Sequence, residues 1–259
     1  MRCWRRIKLK QNIELNSLAL KTRKIFGEDI YSPLDVFASV NGWKEMKITI
    51  VYYPLSSRVS GMCTKVNNHI LICINSGTSY GRQRFTLAHE LYHILYEDNL
   101  QRVICDMKLG DDKSDSEKEA DMFASYLLVP YDALQQYAEK KSDWEIEDVI
   151  EAEQFFQISH KAMLLRLFTE DYISREKFEE YQKVGVTREA IKMGYSGELY
   201  TPSSEDKSYF TTGEYIRKVE LISEKDLISN GKREEMLLDA FRADIVYNLN
   251  KEGMDMNDE

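Results

Sequence analysis

Cysteine and histidine are scarce in this chain, four of each among 259 residues. Cys3, Cys63, Cys73 and Cys105 are scattered and form no C-x-x-C pair. That excludes a disulfide-stapled secreted scaffold and reads as reduced thiols in a cytoplasmic protein. Long apolar runs are missing, and none approaches the length of a membrane span. Residues 1–10 are basic but contain no apolar core and no small-residue cleavage site, so they do not read as a signal peptide. Internal repeats and low-complexity tracts are absent. Positive charge is in deficit: the formal net charge is −9, which argues against broad electrostatic binding to nucleic acid. The basic arm over residues 2–10 is the exception and reads as a solvated tail. What is present is a hydrophobic content of 43%, enough to bury the core of one large domain or two small ones.

Two of the four histidines fall together, in Thr86-Leu87-Ala88-His89-Glu90-Leu91-Tyr92-His93. A spacing of four sets His89 and His93 one helical turn apart on the same face, where both can close on one metal ion. Glu90 stands beside them, placed to take a proton from water. This H-E-x-x-H pattern calls for neutral imidazoles, a third protein ligand and one open position, the requirements of a catalytic Zn²⁺ site. The bland alternative is a chance match on an amphipathic helix. With so few histidines, the spacing around a glutamate favours the metal. Phe85, Leu87, Ala88, Leu91, Ile94 and Leu95 would bury the helix and keep such a site dry.

Around this stretch the periodicities predict further elements. Leu15, Leu18, Ala19, Thr22 and Ile25 recur at helical spacing, giving a helix over roughly 12–26 that stops at Gly27. Ser32-Pro33 reads as a cap and first helical position for a short second helix ending at Asn41-Gly42. Residues 47–53, 59–65 and 69–75 alternate like strands, with turns at 54–57 and Asn67-Asn68, and are expected to form a small antiparallel meander. The last of them, 69–75, is the candidate free edge for an extended peptide substrate. Glu97 through Asp115 reads as a polar stretch with an exposed loop at 110–114, and Ser114 or Ser116 as the start of a helix closed by Pro130. Ser142 opens a capping box, Gln157-Ile158 makes a short turn and Ser159 caps the next helix, a spacing that suits a helix-turn-helix. Helices are expected from Ser174, from Thr212 to Ile222, and after Asn230-Gly231, the last with Leu237, Leu238, Phe241 and Ile245 on one face; residues 195–209 read as loop and the last eight as frayed.

No third histidine follows His93, so the third ligand must come from another element. The acidic start of the 116–129 helix is the source. At about 100° per residue, Glu117 falls at the edge of the stripe formed by Ala120, Phe123, Ala124, Leu127 and Leu128, whereas Glu119 turns towards solvent. Glu117 also has Asp121 four residues on, a carboxylate able to accept the free ring N–H of a ligating histidine. The geometry favours Glu117 over Glu119.

Two stretches together carry a resemblance. Arg82-Gln83-Arg84-Phe85-Thr86-Leu87-Ala88-His89-Glu90-Leu91-Tyr92-His93 resembles the signature of the ImmA/IrrE-type zinc metallopeptidases, and Glu117 through Pro130 resembles their second motif. A weaker third match runs from Phe156 to Leu167. The resemblance covers roughly residues 12–170. It implies a zincin-like core followed by a helical, helix-turn-helix-like region, and members that act on DNA-binding repressors in mobile-element or stress-response circuits. Carried over residue by residue, it makes His89, His93 and Glu117 the metal ligands and Glu90 the catalytic base. Tyr92 departs from the pattern, which has glycine there, so its phenol leans towards the cleft or packs behind the helix. The shared core leaves about ninety residues beyond the third motif unexplained.

The expected fold class is therefore α+β: a small antiparallel sheet packed on the H-E-x-x-H helix, then a mainly helical C-terminal region. Domain limits are expected at 1–141 for the metallopeptidase core with its basic arm and 142–259 for the helical region. The expected function is a zinc-dependent cytoplasmic endopeptidase whose protein substrate is a helix-turn-helix repressor. Tyr80, Tyr92 and Arg84 are candidate oxyanion donors no better than their packing alternatives. The competing reading is a metal-stabilised module that sequesters a transcription regulator without cutting it. Direct nucleic-acid binding is not expected: the second helix of the helix-turn-helix offers only Lys161 and Arg166 as cations, beside His160.

Overall fold

The computed structural model describes residues 2–97, 102–106, 114–139, 141 and 143–247, with the backbone alone for 2–11 and 102–106. Its first half contains α1 (Arg2–Phe26), α2 (Val36–Gly42), β1 (Ile48–Tyr53), β2 (Val59–Val66), β3 (His69–Asn75), α3 (Tyr80–Tyr96), β4 (Arg102–Asp106) and α4 (Asp115–Leu128). There follow α5 (Tyr131–Ala138), α6 (Ile146–Phe156), α7 (His160–Thr169), α8 (Arg175–Tyr181), α9 (Val186–Lys192), α10 (Glu205–Ser208), β5 (Phe210–Gly213), α11 (Glu214–Glu224), α12 (Asn230–Asp239) and α13 (Ala243–Val246).

The strands obey their alternation. Ile48 and Ile50 of β1 and Ile70, Ile72 and Ile74 of β3 are buried, while His69 and Leu71 face out. Each buried isoleucine contributes on the order of 2 kcal/mol of transfer free energy. On the covered face lies α3, which packs against β2, β3 and α4, while α4 in turn packs on α1. Squeezed between sheet and helices, α3 is buried on nearly every side, from Gly81 to Ile94 with Arg82 alone excepted. The α+β class, with a small sheet on the H-E-x-x-H helix, is as the sequence predicts.

The strand order is not. The sheet runs β4-β2-β3-β1-β5 and is mixed, because β1 pairs with β3 in parallel while β2–β3, β2–β4 and β1–β5 are antiparallel. A parallel pair needs a connection of about a dozen residues or more, and residues 54–68, which include β2, supply it. The expectation that 69–75 is a free edge is overturned: β3 is paired on both sides. The edges are β4, where the sequence reads as a polar connection, and β5, contributed by residues 210–213. Gly213 makes that last pairing possible. It has φ 91°, and a Cβ there would stand 2.3 Å from Ile48 O.

Several helix ends also differ. The backbone of α1 is helical from Arg2 rather than from residue 12; whether the basic arm's side chains are solvated lies outside the described residues. Asp35, not Ser32, caps α2, accepting from Ala38 N at 3.1 Å. Glu145 stands at the cap of α6, its N–H donating to Asp148 Oδ2 at 3.0 Å, and Ser142 lies outside the described residues. Thr212 belongs to β5, so α11 starts at Glu214. The single helix expected after Asn230 breaks at Phe241 (φ 59°), which leaves Leu237 buried but Leu238 and Phe241 exposed. Most of the 110–114 loop and the last eight residues lie outside the described residues.

Candidate metal centre

His89, Glu90 and His93 come from the middle of α3, the most buried element of the sheet–helix layer. Glu117 comes from the first turn of α4, whose start is fixed by Ser114: its hydroxyl accepts from Glu117 N at 3.3 Å. The two helices pack side by side, and that contact brings the four residues together. His89 Nε2 and His93 Nε2 lie 3.2 Å apart. Glu117 spans them, with Oε2 3.4 Å from His89 Nε2 and Oε1 3.4 Å from His93 Nε2.

The remaining ring nitrogens face away from this triangle towards carboxylates. His89 Nδ1 is hydrogen-bonded to Asp121 Oδ1 at 2.9 Å, and His93 Nδ1 stands 3.0 Å from Glu97 Oε2. Asp121 accepting the Nδ1 proton leaves the Nε2 lone pair of a neutral His89 ring pointing inward. Asp121 in this place is what the helix spacing predicts. Glu97 is a residue sequence reasoning missed, although its position four after His93 was a usable signal.

The electrostatics follow. Burial alone would lower the His89 pKa, but the bonds to Asp121 and Glu117 raise it to about 9. Burial alone would raise the Glu117 pKa, and its bonds to His89 and His93 instead hold it well below the usual carboxylate range.

The donor set fits zinc. Ligand arms of about 2.0–2.1 Å in a tetrahedron set neighbouring donors roughly 3.3–3.4 Å apart; the two Nε2 atoms here are 3.2 Å apart, and each lies 3.4 Å from one oxygen of the Glu117 carboxylate. Among the described residues, this is the one group of three or more His, Cys, Asp or Glu donors close enough to share an ion. Glu90 is fully buried beside it, and among the described residues neither carboxylate oxygen has a hydrogen-bond partner. Gly61 of β2 makes room for that carboxylate: a Cβ on it would meet Thr86 Cγ2 at 2.6 Å and Glu90 Oε1 at 3.3 Å. Nothing in the sequence pattern singled Gly61 out.

The other predicted residues have structural partners. The Tyr92 phenol donates to Glu119 Oε2 at 2.5 Å, and its ring packs on Tyr96 and Phe123 at centroid distances of 5.9 and 5.6 Å. A tyrosine at the glycine position thus packs behind α3. The buried Arg84 guanidinium donates to Gln157 O at 2.8 Å and to Leu34 O, joining α3 to the α6–α7 turn and to the chain before α2. Tyr80 stacks on Phe37, with ring centroids 6.0 Å apart.

No curated protein matches this chain. Among solved structures, a Mycobacterium tuberculosis transcriptional regulator is similar over 60% of this chain and 46% of its own, at 13% identity and a TM-score of 0.41. The likeness thus spans less than half the length of that regulator. Residues 44–168 match the peptidase M78 family model, described as an IrrE N-terminal-like domain. That segment holds β1 to β3, α3 and α4, and with them all four residues of the centre.

Proposed function

We propose that the protein is a zinc-dependent endopeptidase that cuts a DNA-binding repressor in the cytoplasm. The observation that carries the reading is the inward triangle of His89, His93 and Glu117 with the unpartnered Glu90 carboxylate beside it. His89, His93 and Glu117 would hold the ion. When bound, zinc would bring the pKa of water towards ~7 and polarise a substrate carbonyl. Glu90 accepts the proton of the attacking water at a carboxylate oxygen and passes it to the leaving amine nitrogen. Asp121 and Glu97 fix the orientation and tautomer of the two imidazoles, and the apolar flanks of α3 exclude bulk water. We place an extended substrate along β4, the free edge next to β2, because β2 is the strand that approaches Glu90 at Gly61. Assignment of the substrate as a helix-turn-helix repressor rests on the family resemblance.

The test is incubation with the regulator encoded beside it, with fragments read by mass spectrometry and zinc measured on the same sample. Discrete fragments from the wild type, and none from a zinc-loaded Glu90→Gln variant, support the reading. A tight complex with intact regulator under every inducing condition would replace it with sequestration.

A further inference from the structure

Away from the metal centre, the chain's last third closes over the sheet to leave a cleft of about 730 Å³. Its apolar side is aromatic. Phe37 and Tyr80 are stacked 6.0 Å apart, Tyr52 lies 5.4 Å from Phe37, and Phe210 of β5 lies 6.4 Å from Tyr52. Its polar side is fixed in place. Gln83, wholly buried, donates to Ser76 O, Thr78 O and Ser203 Oγ at 3.2, 2.8 and 3.0 Å. The covering segment is fastened by Tyr80 N to Thr201 O at 2.9 Å, Ser203 N to Ser76 O at 3.1 Å, and Ser76 Oγ to Ser208 O at 2.7 Å.

Three side chains of this cleft are in no hydrogen bond or ion pair among the described residues. Thr212 Oγ1 is buried without a hydrogen-bond partner. Lys207 and Glu198 stand exposed at the rim, and neither is in an ion pair among the described residues. A pre-formed concavity of a few hundred Å³, apolar with a few convergent polar groups, is the usual form of a small-molecule site. Aromatic walls select a planar ring. One free cation and one free anion at the same mouth match a ligand carrying both charges.

We propose that this cleft is a small-molecule site for an aromatic zwitterion, the chemistry of a free aromatic amino acid. The ring lies among Phe37, Tyr52, Tyr80 and Phe210, the carboxylate meets Lys207, and the ammonium meets Glu198. Tyr80 and Gln83 sit on the first turns of α3, the helix that also carries His89, Glu90 and His93, so an occupant touches the element that builds the metal centre.

Calorimetric titration of the full chain with L-tryptophan tests this, independently of peptide cleavage or metal content. Saturable binding is expected, roughly tenfold weaker for indole-3-propionate, tryptamine and N-acetyl-tryptophanamide, each of which lacks one or both charges. Lys207→Glu, at an exposed position, should weaken L-tryptophan binding by roughly tenfold without changing the circular dichroism spectrum. Ser203→Trp, which fills the cleft, should abolish it. The proposal is overturned if L-tryptophan, L-tyrosine and L-phenylalanine all fail to bind up to their solubility limits. It is equally overturned if Lys207→Glu binds like the wild type, or if N-acetyl-tryptophanamide binds as well as the free amino acid, which would make the occupant a peptide side chain.

Discussion

Two buried clusters in this protein combine histidine with carboxylate, and they are built to opposite ends. In the first, His89 and His93 turn their Nε2 atoms towards each other and towards Glu117, while Glu90 has no partner. In the second, between α6, α7, α8 and the Glu198–Tyr200 turn, the polar side-chain atoms of His160, Glu153 and Tyr200 are paired within the fold. His160 Nδ1 meets Glu153 Oε1 at 2.6 Å, His160 Nε2 donates to Tyr181 O at 3.0 Å, and Tyr200 OH donates to Glu153 Oε2 at 2.8 Å. Buried polar atoms are ordinarily paired. Burial and residue type therefore do not distinguish a site from a polar core. Three donor side chains converging on one ion-sized point do.

Metal removal should separate the two clusters most sharply. Treatment with 1,10-phenanthroline, or His93→Ala, should abolish cleavage and bound zinc, whereas His160→Ala should leave the zinc content of the folded fraction unchanged by mass spectrometry. Next in size, Glu90→Gln should cut the rate of fragment formation by roughly 10²- to 10⁴-fold with zinc retained. At the closed cluster, Glu153→Ala removes one partner of a buried pair and should destabilise the fold by roughly 3–5 kcal/mol, read from the urea midpoint. A smaller effect is expected from Asp121→Asn, which should weaken zinc affinity by roughly 10- to 100-fold, measured by competition with a fluorescent chelator.

Proton linkage at the closed cluster should give the smallest effect. Burial would lower the His160 pKa, but the bond to Glu153 raises it; burial raises that of Glu153. Both shifts make the folded state hold protons more firmly than the unfolded chain. The His160 contribution is full below its unfolded pKa of about 6.5 and is lost as pH rises through its folded value. Stability of the apo protein should therefore decline from neutral to alkaline pH, and the cluster's share of that slope should vanish in Glu153→Gln.

The centre was legible in the sequence because helical spacing is local. His89 to His93 and Glu117 to Asp121 are each one turn, and a turn carries its geometry with it. The β1 and β3 alternation was legible for the same reason. What was not legible depends on pairing between distant segments. β4 is a short edge strand among polar neighbours, and β5 pairs with β1 across more than half of the chain, so neither declares its partner locally. The parallel β1–β3 pair hides behind a β2–β3 hairpin that reads as a meander. Gly61 matters only through what packs against it. Arg23, outside the apolar set read for α1, is wholly buried and donates to Asp29 O, Ser32 O and Leu127 O, carbonyls that helical periodicity does not name.

The return of the chain at β5 has a practical consequence. A fragment ended at residue 168, where the family match stops, would strip β1 of β5, one of its two neighbours, and lay bare a row of main-chain donors and acceptors beside Tyr52 and Phe37. Uncovered strand edges next to apolar surface recruit other copies of themselves. The segment that carries the proposed catalytic residues would then be an aggregating fragment on its own.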